Sequence, residues 1–162
     1  MSKPAPIPPG FHTLTPHLVQ KDSNAAMEWY KKALGAEERF RMPGPGGHGV
    51  AHAEMKVGTS TFMMADEFPG MNLKSPKSVG SSTVGLHLYV TDCDSAFKRA
   101  VDAGAKPTMP PVDMFWGDRY AKFTDPFGHE WSVATHVEDV PPQEMGKRAE
   151  AAFAQMGKGG KG

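Results

Sequence analysis

The residues FWGDRYAKFTDPFGHEWSVATH, positions 115–136, gather most of the side chains in this chain that could do chemistry. Phe115, Trp116, Tyr120 and Trp131 offer flat aromatic faces suited to stacking a planar ligand. Arg119 carries a rigid guanidinium fork that takes a carboxylate or phosphonate at two points. Asp118 directly precedes it. Neighbours on a strand point to opposite faces, so one of the two can face a pocket while the other pairs elsewhere. For Arg119, a ligand clamp and a structural ion pair that pins the loop both stand. For Trp131, the core is the commoner place and a pocket wall the alternative. Asp125-Pro126-Phe127-Gly128 has turn chemistry: Asp accepts from its own backbone, Pro presets φ, and Gly permits positive φ. The stretch reads as a hairpin first and as one wall of a ligand cup second.

Other reactive residues are scattered. His17 and His87 open two similar segments. His52 and Glu54 share one face of VAHAEMKV. Two histidines and a carboxylate can hold a divalent metal; the alternative is a histidine pair hydrogen-bonded in a polar pocket. His129 and His136 lie seven apart on one extended run, which turns them to opposite sides and reads as surface or turn positions. Cys93 sits at a helix start, where a thiol pKa can fall, but Asp92 and Asp94 oppose that, so it reads as structural. GPGGHG, residues 44–49, lacks the Lys-Ser/Thr of a phosphate loop and reads as a flexible loop, a candidate lid.

The elements that must position these residues repeat. TPHLVQKDSNAAMEWYKKALGAEERF from Thr15 and GLHLYVTDCDSAFKRAVDAGAKPTM from Gly85 align at an offset of 70, pairing His17 with His87 and Asp22 with Asp92. Each predicts a strand, a capped helix and a Gly stop at Gly35 or Gly104. Ala26, Met27, Tyr30 and Leu34, like Ala96, Phe97, Ala100 and Val101, recur at helical spacing. Shorter extended runs follow each helix, giving βαβββ twice. The boundaries are a Pro-rich arm at 1–11, a first module at 12–67, a Gly/Pro/Ser-rich linker at 68–83, a second module at 84–140, and a helix with a mobile GKGGKG tail at 141–162. Met145, Ala149, Phe153 and Met156 fall roughly on one side of that last helix. Two such modules side by side close an α+β, mixed-sheet half-barrel cup.

The chain has 162 residues with 18 basic and 18 acidic side chains, so its formal charge is zero. Nucleic acid and anionic membrane reward a basic surface and are not expected partners. No apolar run approaches the ~20 residues of a membrane span, and the Pro-rich start is not a secretory signal. A lone cysteine suits a reducing cytoplasm. Eleven methionines read mainly as core filler, with some available to line a pocket.

TPHLVQKD…AMEWYKKALGAEE, HAEMKVGTSTFMMADE and FWGDRYAKFTDPFGHEWSVATH resemble the vicinal-oxygen-chelate superfamily of glyoxalases, bleomycin-resistance proteins and dioxygenases, with wording nearest its PhnB-like branch. The resemblance spans about residues 12–140 and implies the paired-module cup. Metal-using members carry ligands early on the first strand and on the last strand of each module. The matching positions here are Thr15, Gly85 or Leu86, Met63 or Met64, and Ser132, which form a poor donor set. The expected protein is therefore a cytoplasmic homodimer that binds a small aromatic or amphipathic molecule in the cup between its modules, without a cofactor or the usual metal. Ligand-binding candidates are His17, Glu54, His87, Tyr89, Phe115, Trp116, Arg119, Tyr120 and Trp131; no catalytic residue is assigned. The alternatives are a metal-dependent lyase, isomerase or dioxygenase using His17, His87 and perhaps Glu54, and an interaction protein docking through its last helix.

Overall fold

The two helices expected from the repeat start on aspartate. Asp22 accepts from the Ala25 N–H (2.9 Å) ahead of α1 (Ser23–Leu34), and Asp92 accepts from the Ser95 N–H (3.0 Å) ahead of α3 (Cys93–Asp102). Each cap satisfies a donor that the first turn leaves free. Gly35 ends α1 in the left-handed conformation, whereas α3 ends on Ala103 with Gly104 one residue beyond.

The computed structural model describes residues 3–159. In the first module, β1 (His17–Gln20) runs parallel to β4 (Ser60–Asp66), which pairs antiparallel with β3 (Val50–Val57), and β3 with β2 (Glu37–Pro43). In the second, β5 (Gly85–Tyr89) runs parallel to β8 (Glu130–His136), which pairs with β7 (Asp118–Thr124), and β7 with β6 (Lys106–Asp113). The sheet orders β1-β4-β3-β2 and β5-β8-β7-β6 are the same topology twice. This is the α+β, paired-βαβββ open cup that the repeat predicts. Pro107, Pro110 and Pro111 lie on β6, a sheet edge, and register shifts fall across them, because proline has no N–H for the ladder.

Between the modules, α2 (Pro76–Val79) gives the linker one helical turn. Glu67 anchors it by accepting from the Ser75 N–H (2.7 Å) and the Ser78 hydroxyl. Those bonds, the Ser75 backbone first, pull the Glu67 carboxyl down to about 2. After the second module comes α4 (Pro142–Gly159). It runs into the glycine-lysine segment expected to be a mobile tail; positions 160–162 of that segment lie outside the described residues.

Alternation sorts each strand into two faces. Leu18, Met55, Phe62 and Met64 point to the helix side of the first sheet, and Ala121, Phe123, Trp131 and Val133 to that of the second. They form one core with Met27, Trp29, Tyr30 and Ala100. The modules therefore join through their helices. Trp29 Nε1 donates to the Ala103 carbonyl (2.8 Å), and Arg99 Nε returns a bond to the Ala33 carbonyl (2.9 Å). Among the described residues no strand pairing joins the two sheets.

At the centre of the junction lies Asp125, 3% exposed. Its Oδ2 accepts from the Tyr30 hydroxyl (2.7 Å) and Trp131 Nε1 (2.9 Å). Its Oδ1 accepts from the N–H groups of Phe127 and His129 (both 2.9 Å). Gln20 Nε2 donates in turn to the Tyr30 oxygen (3.2 Å). Burial and the Asp125 carboxylate push the Tyr30 hydroxyl far above its usual range, so it remains a donor. Tyr30→Phe removes one charge-assisted bond from a buried carboxylate. It should cost about 2 kcal/mol in urea unfolding; a loss under about 0.5 kcal/mol would show that the junction does not rely on this bond.

Candidate functional site

The faces turned away from the helices carry the functional side chains. On the second sheet, strand alternation places His87 and Tyr89 of β5, Ser132 and Ala134 of β8, and Asp118, Tyr120 and Lys122 of β7 on the open side. A row of rings results. Phe115 packs edge-on to Trp116 (centroids 5.1 Å apart) and Trp116 edge-on to Tyr120 (5.5 Å). Tyr120 stacks on His87 (5.9 Å), which meets Tyr89 edge-on (4.7 Å). Phe153 of α4 closes the far end against Phe115 (5.9 Å). Ser132 holds the His87 ring through Nδ1 (2.7 Å).

One buried carboxylate fixes this row. Asp118, 4% exposed, accepts at Oδ2 from Trp116 Nε1 (3.0 Å) and the Tyr89 hydroxyl (3.2 Å). Its Oδ1 meets His136 Nδ1 at 2.8 Å, directly across the β7–β8 ladder. Burial alone would raise the Asp118 carboxyl, but the bonds from His136, Trp116 and Tyr89 outweigh it and hold it below the ordinary range. His136 Nε2 lies 2.9 Å from Asp139. Asp139 and Asp118 together raise the imidazole pKa. Gly117 makes the loop possible: its φ is +101°, and a Cβ there would collide with the Glu138 carbonyl. The Gly117 carbonyl accepts from the Val137 and Glu138 N–H groups (2.9 and 3.0 Å), which brings the chain after β8 against the Trp116 loop.

The open face of the first sheet holds a separate cluster. His17 stacks on His52 (6.5 Å), His52 lies beside Phe40 (6.2 Å), and His52 Nε2 reaches Glu54 Oε1 at 3.3 Å. Partial burial and the neighbouring His52 lower the His17 pKa, which favours the neutral ring. GPGGHG folds beside this sheet as a 3-10 turn, and the Val50 N–H that follows it donates to buried Asp66 (2.9 Å).

Of the nine residues singled out in the sequence, five come together: His87, Tyr89, Phe115, Trp116 and Tyr120. His17 and Glu54 belong to the first-sheet cluster. Arg119 and Trp131 lie elsewhere. Arg119 turns to the helix side, where its fork grips Asp94 through Nε and an NH2 group (2.8 Å each) and a third nitrogen reaches Asp113 (3.2 Å). The ion-pair reading of Arg119 therefore describes its contacts, with partners other than Asp118. Trp131 is 3% exposed, bonded to Asp125 and set in the core. Its edge lines an apolar cleft of about 330 Å³ with Leu14, Phe62, Val84 and Leu86, to which His87 of the ring row also contributes.

Of the two histidines read as surface or turn positions, His136 is exposed and His129 is not. His129 is buried rather than on the surface, and its ring meets the Val19 carbonyl of the other module at 3.2 Å. His136 is the partner of Asp118. The signal for His136 was present in the alternation, since Asp118 and Tyr120 must share a face. The register that puts His136 opposite Asp118 depends on the turn and is not written in either strand alone. Cys93 is buried, and burial followed by Asp94 raises its thiol pKa, consistent with a structural role.

The residues at the family's usual metal positions do not fit a divalent ion. The Thr15 hydroxyl donates to the His12 carbonyl (3.1 Å), Ser132 is bound to His87, and Met64 is buried in the core. Gly85 supplies no side-chain donor. Among the described residues no group of three or more His, Cys, Asp or Glu gathers with metal-holding geometry.

Residues 11–133 match the Glyoxalase/Bleomycin resistance protein/Dioxygenase superfamily. The chain belongs to that superfamily. An uncharacterized protein of Mycobacterium tuberculosis is 40% identical over 149 residues, covering 90% of this chain and 85% of its own length. The X-ray structure of an Arabidopsis thaliana gene product is similar at 29% identity and a TM-score of 0.60, over 76% of this chain and 98% of that one. A Bacillus cereus PhnB protein shares the fold at 19% identity and a TM-score of 0.60, over 76% of this chain and 99% of that one. No helix among the described residues is long and apolar enough to cross a membrane.

His136 gives the site a pH signature. Its folded pKa is raised, so its stabilising contribution is complete below about 6.5, the ordinary histidine value, and is lost as pH rises through the folded value. Chemical denaturation between pH 6 and pH 9 should show stability falling for wild type relative to His136→Gln; parallel curves would refute the linkage.

Proposed function

We propose that this protein binds a small aromatic or amphipathic molecule against the ring row of its second sheet, without the usual metal. The observation that carries this reading is the continuous row Phe115–Trp116–Tyr120–His87–Tyr89 on the sheet face turned away from α1 and α3, with Phe153 of α4 at its end. Such a row offers stacking surface, while Asp118, His87 and Ser132 supply the few polar groups that orient a ligand. The donor set at the usual metal positions supports a metal-free site. The PhnB-like wording of the sequence belongs to this proposal and specifies no reaction.

The working form would be a homodimer in the cytoplasm. Phe40, Met42, Tyr89 and Val112 are exposed apolar side chains on the sheets. The helices already join the two modules of one chain, so a second copy is the natural cover for these open faces.

A second reading is a metal-dependent lyase, isomerase or dioxygenase. His17 stacked on His52, whose Nε2 reaches Glu54, supplies the donors for it, and these would have to draw closer to hold an ion.

Trp116→Ala should weaken binding of 4-nitroanisole, a neutral aromatic probe, about tenfold by calorimetry; unchanged affinity would remove this wall from the site. Elemental analysis of untagged protein, incubated with zinc, nickel, manganese or iron and then desalted, should find far less than one equivalent of metal per chain. About one equivalent, lost in His17→Ala, would establish the second reading instead.

A further inference from the structure

We propose that Asp118 and His136 form a charged pair at the edge of the ring row, which selects planar ligands that bind as oxyanions, a phenolate or an enolate. This rests on the ring row being the ligand site.

The arrangement has three parts. Asp118 is buried and its carboxylate is shared among Trp116, Tyr89 and His136, so it cannot move without disturbing the wall. Its Oδ1 faces His136 Nδ1 at 2.8 Å, which leaves Nε2–H as the donor that a ligand oxyanion can take. The His136 side chain is half exposed, and what faces Nε2 is Asp139, whose side chain is fully exposed. A surface carboxylate in that position is held weakly and is displaced by a ligand oxygen at small cost. Trp116 and Tyr89 contact the same carboxylate as His136, so a ring lying on them places a substituent hydroxyl beside the imidazole.

The other charged groups nearby are engaged or turned away. Glu138 is gripped by both NH groups of Arg148 (2.8 and 2.6 Å), and Arg119 points through the sheet to Asp94 and Asp113. Lys122 lies on the open face of β7 but is exposed at the far side of Tyr120 along the strand. His87 is occupied by Ser132 through Nδ1.

The step is balanced without a co-reactant. At pH 6 the imidazole carries protons on both nitrogens, one facing Asp118 and one facing Asp139. The ligand O–H breaks, its proton passes to solvent, and the electron pair stays on oxygen. The oxyanion replaces Asp139 against Nε2–H, and Asp118 stabilises the imidazolium from the other side. The bound ligand is therefore ionised at a pH where the free ligand is not.

The test uses 4-nitrophenol, which absorbs at longer wavelength once ionised, and 4-nitroanisole, which has the same ring and no proton to lose. With wild-type protein at pH 6, bound 4-nitrophenol should show the phenolate band, and His136→Gln should abolish the band and weaken 4-nitrophenol binding about tenfold. The affinity of His136→Gln for 4-nitroanisole, which reports an intact wall, should match wild type. Asp118→Asn should also lose the band. If both probes bind but 4-nitrophenol stays un-ionised, or its band survives in His136→Gln, the charged pair is refuted and the ring row stands. If neither probe binds wild type, the ring row and the pair fall together.

Discussion

Asp125 is the constraint on which the rest depends. Burying a carboxylate costs several kcal/mol even after the protein relaxes. Four donors, each worth about 1.5–3 kcal/mol to a charged acceptor, offset that cost. They come from two modules: Tyr30 from α1, and Trp131, Phe127 and His129 from the second-sheet hairpin. The carboxylate is therefore fully satisfied only when the two modules are docked. The Asp-Pro-Phe-Gly turn is shaped by the same carboxylate, so the turn that sets the β7–β8 register also locks one module onto the other.

The position of the functional face follows. Because the modules meet through helices and aromatic core, the opposite side of each sheet faces away from α1 and α3. Two further buried aspartates work on the same logic. Asp66 accepts from the N–H groups of Ser23 (2.6 Å) and Val50 (2.9 Å), tying the start of α1 and the glycine loop to the end of β4. Asp118 gathers Trp116, Tyr89 and His136 at the matching edge of the second sheet. A buried acid at a strand end thus serves structure in the first module and a candidate site in the second, the difference being that backbone groups answer Asp66 and side chains answer Asp118.

The sheet faces also explain why Arg119 and Trp131 do not join their sequence neighbours. Arg119 lies one residue from Asp118 and one from Tyr120, and a strand sends adjacent side chains apart. Trp131 pairs with Phe123 across β7 and β8, and both belong to the core side. Phe115, Trp116 and Tyr120 were legible as neighbours, and His87 and Tyr89 as one face of β5, but that the two sets meet was not written in either segment. His136 was not legible, because its meaning lies in its cross-strand partner. His129 was not, because its partner is a carbonyl 110 residues away.

The sequence by itself determined the repeat, the helices and their aspartate caps, the sheet content, the turn and the weak donor chemistry at the family's metal positions. These are local properties, set by side-chain period, by caps one turn away and by residue type. Tertiary structure alone decided which carboxylates are buried, which donors converge on Asp118 and Asp125, and on which side of the sheet Arg119 and Trp131 end. The reason is physical: desolvation and hydrogen-bond satisfaction depend on what packs around a group from distant parts of the chain, and no window of sequence contains that neighbourhood.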